Sequence, residues 1–210
     1  MTLQNRVTPL GELIADPARG LVYGNRGCLH DAGGRVRRHH ATRRWIACRL
    51  EFRGWRRGPM MQPGRFTELF FLDDATALAA GHRPCALCRR EDYRSLAARL
   101  SQLHGGSTGA DAIDERLHGE RLDGDRRRVH IRRGAGLPDG CCVLVRGRPW
   151  MVAGGALHRW TPAGYAERAP LGRARRDVLT PPSLLALLGT GWRPLVPLLH
   201  PSAGVAPFGA

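Results

Sequence analysis

Short apolar segments separated by glycine- and proline-bearing turns run the length of the chain, and their periods change from segment to segment. In "RWIACRLEF", Ile46, Cys48, Leu50 and Phe52 recur at period two, which predicts a strand with Cys48 on its core side. "RFTELFFL", residues 65 to 72, predicts a second strand. Asp73 or Asp74 can then cap a short helix over "DATALAA" that Gly81 ends. Beyond Pro84, the near-helical spacing of Leu87, Tyr93, Leu96, Leu100 and Leu103 predicts a longer helix. "HGGSTGAD", residues 104 to 111, has the composition of a linker.

The second half changes character. "DAIDERLHGERL" is helix-like, whereas "CCVLVRGRPWMVAGGALHRWTPAGY" alternates apolar runs with two-residue turn signals at Gly147-Arg148 and Gly154-Gly155. That pattern predicts an antiparallel meander. A further short helix is expected to start after Pro182 and stop at Gly189, with a loose tail from Pro201. The fold class expected is α+β. A small β/α unit over residues 1–104 precedes a β-rich part over residues 105–210, a small antiparallel meander with short helices.

Composition sharpens this in two ways. A chain of 210 residues that is 42% apolar and 24% charged is globular rather than disordered. The N-terminal stretch lacks a signal-peptide pattern, and no run approaches the roughly 18 apolar residues of a membrane span. A cytosolic protein with no membrane partner is therefore expected, in a compartment that keeps thiols reduced. The formal charge is +15, and all 33 basic residues are Arg. The absence of Lys reads as the composition of a GC-rich genome, but the cationic excess does not. Residues 26 to 65 hold eleven Arg against only Asp31 and Glu51. Such a concentration is the expected footprint of a polyanion, because phosphate contacts release counterions.

Six cysteines in a reducing compartment point to metal or thiol chemistry before disulfides. "RPCALC" places Cys85 and Cys88 in a C-x-x-C turn, which delivers two thiolates to one ion. A redox pair is the alternative, but no thioredoxin-like βαβ pattern surrounds it. Zinc needs two more donors. The set expected is Cys28, Cys48, Cys85 and Cys88, with His30 as the substitute for Cys28 or Cys48. His39 and His40 lie in an arginine run and are expected to face solvent. Cys141 and Cys142 open an apolar strand, where at least one is expected to be buried.

The residues around the C-x-x-C turn resemble the second half of the Ada-type metal-binding domain, found in bacterial DNA methyl-phosphotriester repair proteins and in stand-alone modules. The matching positions are Phe70, Phe71, Ala79, Ala80, Gly81, His82, Arg83, Pro84, Cys85 and Cys88. "VYGN", Tyr23 to Asn25 with its preceding Val22, also looks like the strand that opens some stand-alone members. The resemblance covers roughly residues 23–90 and is specific around 68–90. It implies a zinc-stabilised unit, Cys85 and Cys88 as zinc ligands, and DNA ahead of RNA as partner. In the repair proteins the first two zinc cysteines lie close together and the first accepts a methyl group. Here Cys28 and Cys48 are far apart, so the acceptor role transfers to no residue.

Three functions follow. The first is a nucleic-acid-binding module with structural zinc, in which Arg35, Arg37, Arg38, Arg43, Arg44, Arg53, Arg56, Arg57 and Arg83 meet phosphates. Trp55 would stack on bases, while Trp45 packs in a strand. The second is a zinc-thiolate alkyl acceptor acting on alkylated DNA. The third is a metal-dependent hydrolase or nuclease built on His118, Glu120, Asp123, Asp125 and His130.

Overall fold

The computed structural model describes residues 2–55, 58–106, 109–124 and 126–204. Six strands form a first, mixed sheet: β1 (Gln4–Val7), β2 (Leu13–Ala15), β3 (Val22–Asn25), β4 (Ile46–Cys48), β5 (Leu69–Phe71) and β6 (Arg83–Pro84), in the order β2-β1-β5-β3-β4-β6. The pairs β1·β5 and β4·β6 are parallel and the others antiparallel. Helix α1 (Asp74–Ala79) joins β5 to β6, and α2 (Arg90–His104) follows. After α3 (Ala110–Arg121) comes a two-strand ladder of β7 (Leu122–Asp123) and β8 (Arg126–Arg127). The remaining strands are β9 (His130–Arg133), β10 (Cys142–Val145), β11 (Arg148–Ala153), β12 (Ala156–Thr161), β13 (Gly164–Pro170) and β14 (Arg175–Val178). They make a wholly antiparallel second sheet, β13-β12-β11-β10-β14-β9, with α4 (Pro182–Gly189) after it. The fold is α+β, as the patterning implied.

The expected meander is β10 to β13. Gly154 and Gly155 form one turn at positive φ, and Ala153 pairs with Ala156 around them. The other turn is Arg146-Gly147, one residue earlier than expected, because Val145 pairs with Arg148. The tail is less loose than expected as far as Gly204. Residues Pro201–Ala203 make a 3-10 turn, and Ser202 Oγ accepts the Tyr165 amide at 2.7 Å.

Helix α1 is the hinge of the packing, and all its residues are buried. Its alanines let the two cores approach: Ala77 and Ala80 join Val22, Leu69 and Phe71, while Leu78 and Ala79 join the larger core. That larger core draws Leu96 and Leu100 from one side of the linker segment and Met151, Val178 and Leu184 from the other. Asp73 caps the helix, its Oδ1 accepting from the Thr76 amide and hydroxyl at 2.8 Å each. Its Oδ2 accepts from Tyr165 Oη at 2.7 Å and the His200 amide at 2.8 Å, tying the second sheet to the first. Gly81 is required on two grounds. Its φ is 86°, and a Cβ there would lie 2.6 Å from Arg121 Cδ. Among the described residues, no helix is long and apolar enough to cross a membrane.

Candidate metal centre

The site is built from the ends of two neighbouring parallel strands. Ala47 of β4 is the register partner of Pro84 of β6, and the Cys85 amide donates to the Ala47 carbonyl at 2.8 Å. Cys48 and Cys85 therefore leave their strands side by side. Pro84 is tolerated because β6 is an edge strand. A tight turn then returns the chain: the Arg89 amide donates to the Cys85 carbonyl at 3.0 Å, and the Leu87 amide to Cys85 Sγ at 3.4 Å. The sulfurs of Cys48, Cys85 and Cys88 all come within 4.8 Å of one another. Among the described residues this is the one group of three or more Cys, His, Asp or Glu side chains so arranged.

The strand reading had the faces of β4 reversed. Trp45 and Ala47 point into the core, whereas Ile46 and Cys48 are half-exposed. Both faces are apolar and only three residues pair, so alternation alone could not choose between them. Exposure of Cys48 is what makes it available as a ligand.

Two buried ion pairs clamp the turn. Arg83, just before Cys85, donates from Nε to Asp114 Oδ1 at 2.9 Å and from Nη2 to Oδ2 at 2.7 Å. Arg89, just after Cys88, holds both carboxylate oxygens of Asp74 at 2.6 and 2.8 Å, and Asp92 Oδ2 at 2.8 Å. Burial alone would lower the Arg89 pKa, but the two carboxylates carry it above the ordinary arginine value. Bidentate, fully shielded pairs of this kind fix geometry more than they add net stability.

Three thiols this close cannot all ionise without a cation. Hydrogen bonds from Cys48 and Cys88 hold Cys85 low, as the site's anion. Hydrogen bonding with Cys85 and Cys88 pushes Cys48 up; Cys88 is lowered by its bond with Cys48 but raised overall by Cys85 and by burial. A soft or borderline divalent ion held by Cys48, Cys85 and Cys88 would relieve this competition, and the amide directed at Cys85 Sγ suits a metal-bound sulfur. The donor set fits zinc. No fourth side chain joins the group among the described residues.

The cysteines form one wall of a cavity of about 520 Å³, whose other walls include Tyr23, Phe52, Trp55 and Phe66 with Arg49 and Arg65. Trp55 is 65% exposed and Phe66 46%. Glu68 also lines it, with Oε2 accepting from the Met61 amide at 2.7 Å. A second hollow of about 300 Å³ shares Arg49, Phe52 and Cys88 and adds Arg53 and Arg90.

Other expected site residues fall elsewhere. Cys28 is outside the thiol group; its Sγ points back to the His30 carbonyl at 3.6 Å. Its loop is pinned by Thr67, which donates its amide to the Gly27 carbonyl at 3.0 Å and accepts the Leu29 amide at 2.8 Å. His30 is no ligand either: its ring bonds Thr67 Oγ1 at 2.6 Å and the Gln62 carbonyl at 3.1 Å. Arg83 cannot meet a phosphate, being 3% exposed and committed to Asp114. Arg35, Arg37, Arg38, Arg43, Arg44 and Arg53 are exposed, although Arg37 pairs with Asp31, Arg43 with Glu115 and Arg44 with Asp111. Arg56 and Arg57 lie outside the described residues, as does Asp125.

Among the described residues, the acidic and histidine side chains of the hydrolase reading form no metal-binding group. His130 Nε2 bonds the Glu120 carbonyl at 2.9 Å, the Glu120 carboxylate is occupied by Ser183, and Asp123 faces Arg128 at 3.5 Å. Comparison with family models, curated proteins and solved structures gave no match.

Proposed function

We propose that the chain is a zinc-binding protein, with Cys48, Cys85 and Cys88 as ligands, that engages nucleic acid on the face surrounding the metal. The supporting observation is the interleaving of exposed Trp55 and Phe66 with Arg49, Arg53 and Arg65 around the thiol group. Aromatic rings among guanidinium groups suit bases stacked beside a tracked backbone. The Ada resemblance favours DNA over RNA. Three thiolates leave one tetrahedral position for water or an incoming group. The test is binding of a labelled oligonucleotide across a salt series. Steep loss between roughly 50 and 200 mM is expected, and affinity indifferent to salt would sink the reading.

A second reading is favoured by the half-exposed sulfurs facing an open cavity. There, a thiolate attacks the methyl carbon of a methylated phosphate. An S–C bond forms, the C–O bond breaks, and the phosphodiester leaves as the anion. A methylated oligonucleotide should then add one methyl group to one of the three cysteines, read by peptide mass. No such adduct means the site does not act this way.

A further inference from the structure

Away from the thiols, the core encloses a second chemical oddity. Two guanidinium groups lie over the Trp45 ring, Arg26 at 4.1 Å and Arg121 at 4.0 Å from its centroid. Both arginines are fully buried. Arg127 reaches into the same region and donates to the carbonyls of Ala79 and Leu179. The two other buried arginines among the described residues have carboxylates: Arg83 has Asp114, and Arg89 has Asp74 and Asp92.

These three do not. Arg26 donates to His82 Nε2 at 3.1 Å and to the carbonyls of Gly11 and His39 at 2.9 and 3.1 Å. Arg121 donates to the carbonyls of Gly81 and Arg43 at 2.9 and 2.7 Å and contacts His118 Nδ1 at 3.3 Å. Among the described residues none of the three forms an ion pair. Arg26 Nη2, Arg121 Nε and Arg127 Nε are buried with no hydrogen-bond partner. So is Nδ1 of His82, which must carry that ring's hydrogen because Nε2 accepts from Arg26. Unmet donors on shielded cations are costly and are rarely retained without a ligand.

Arg26, Arg127 and Trp45 wall a cavity of about 200 Å³, closed by Leu10, Gly11 and Leu122 and opening past the exposed Glu12 and His39. A Cβ on Gly11 would lie 3.9 Å from Arg26 Nη2, so the orphaned nitrogen sits against a wall of the same cavity. We propose that this cavity binds a small, free oxyanion of the phosphate class, held by the unpartnered Nη2 of Arg26 and Nε of Arg127. A hydrogen bond from a guanidinium to an oxyanion is charge-assisted and stronger than one between neutral groups. The narrow volume and the Glu12 carboxylate at the mouth argue against a nucleic-acid backbone. The titration of the cluster agrees: burial, then the neighbouring Arg121 and Arg127, pushes Arg26 down, and burial takes Arg121 to about 9 and Arg127 to about 10.

Calorimetric titration of the full chain with inorganic phosphate, at fixed ionic strength, tests this independently of the zinc centre. Saturable one-to-one binding is expected, weakened by about tenfold or more in Arg127→Met, which removes a charged hydrogen bond. Glu12→Gln, an exposed change that leaves the fold alone, should tighten binding several-fold by removing a like charge from the mouth. No saturable heat in the wild type overturns the site. So does an affinity that Glu12→Gln leaves unchanged, which decides the matter even if Arg127→Met fails to fold. Displacement of bound phosphate by an oligonucleotide would contradict a free anion as the occupant.

Discussion

The amide of Cys85 donates to the carbonyl of Ala47 at 2.8 Å, and that one bond brings together thiols from distant parts of the sequence. It extends the parallel register of β4 and β6, so that the residue after Ala47 and the residue after Pro84 emerge as neighbours. Cys88 completes the group through the turn that Arg83 and Arg89 clamp from either side. The thiol cluster is thus a product of sheet register first and of the C-x-x-C turn second.

The clamp gives the first prediction. Arg89→Ala leaves Asp74 and Asp92 as buried carboxylates without their partner. Loss of about 3–5 kcal/mol of stability is expected in denaturant unfolding, with weaker metal retention alongside it. A stability change within about 0.5 kcal/mol would mean the pair is ornamental to this fold.

Acid sensitivity should report on His82. Burial, then the charges of Arg26 and Arg121, lowers its pKa well below the ordinary 6.5. A depressed folded-state value means that the unfolded chain takes up the proton first. Stability from the neutral ring is therefore full above about pH 6.5 and declines as pH falls toward the folded value. His118, lowered by its own burial and by Arg121, acts in the same direction. The melting temperature should drop from pH 7 to pH 5.5 in the wild type and drop less in His82→Gln. Equal slopes in the two proteins would remove His82 as the cause.

Thiol reactivity should sort the six cysteines. Cys141 and Cys142 are fully buried, and burial raises both thiols, so they should stay unlabelled by iodoacetamide in the native protein. Half-exposed Cys28 should react with metal present, and Cys48, Cys85 and Cys88 only after chelation. Labelling of Cys48 in the metal-loaded protein, ahead of Cys28, would contradict the ligand assignment.

Trp55 separates binding from stability. It is 65% exposed, so Trp55→Ala should leave unfolding within about 0.5 kcal/mol of wild type. Oligonucleotide affinity should fall by about 1–3 kcal/mol if a base stacks on it. Unchanged affinity would take Trp55 out of the interface.

Much of this was legible before the structure, and the failures have physical causes. The Asp73 cap, the Gly81 stop and the C-x-x-C turn are local signals, readable because neighbouring residues make them. Cys48 could be named as a partner of Cys85 but not placed on the correct face, since β4 is short and apolar on both sides. Cys28 looked equally suitable; only the Thr67 contacts, made across 38 residues from Leu29, show why its loop turns away. Among the described arginines expected at phosphates, Arg83 was the one misread: it is interior, whereas Arg35, Arg37, Arg38, Arg43, Arg44 and Arg53 are exposed. Spacing also gave no sign that Arg26, Arg89 and Arg121 would be interior. Their carboxylate, carbonyl and indole partners are set by tertiary packing, which spacing does not reveal.

The most direct test of the metal assignment is zinc stoichiometry by native mass spectrometry on freshly purified wild type, Cys48→Ser and Cys28→Ser. One zinc per chain is predicted in the wild type and in Cys28→Ser, with loss in Cys48→Ser. Retention of zinc by Cys48→Ser together with its loss from Cys28→Ser, or no metal in the wild type, would contradict the three-thiolate centre.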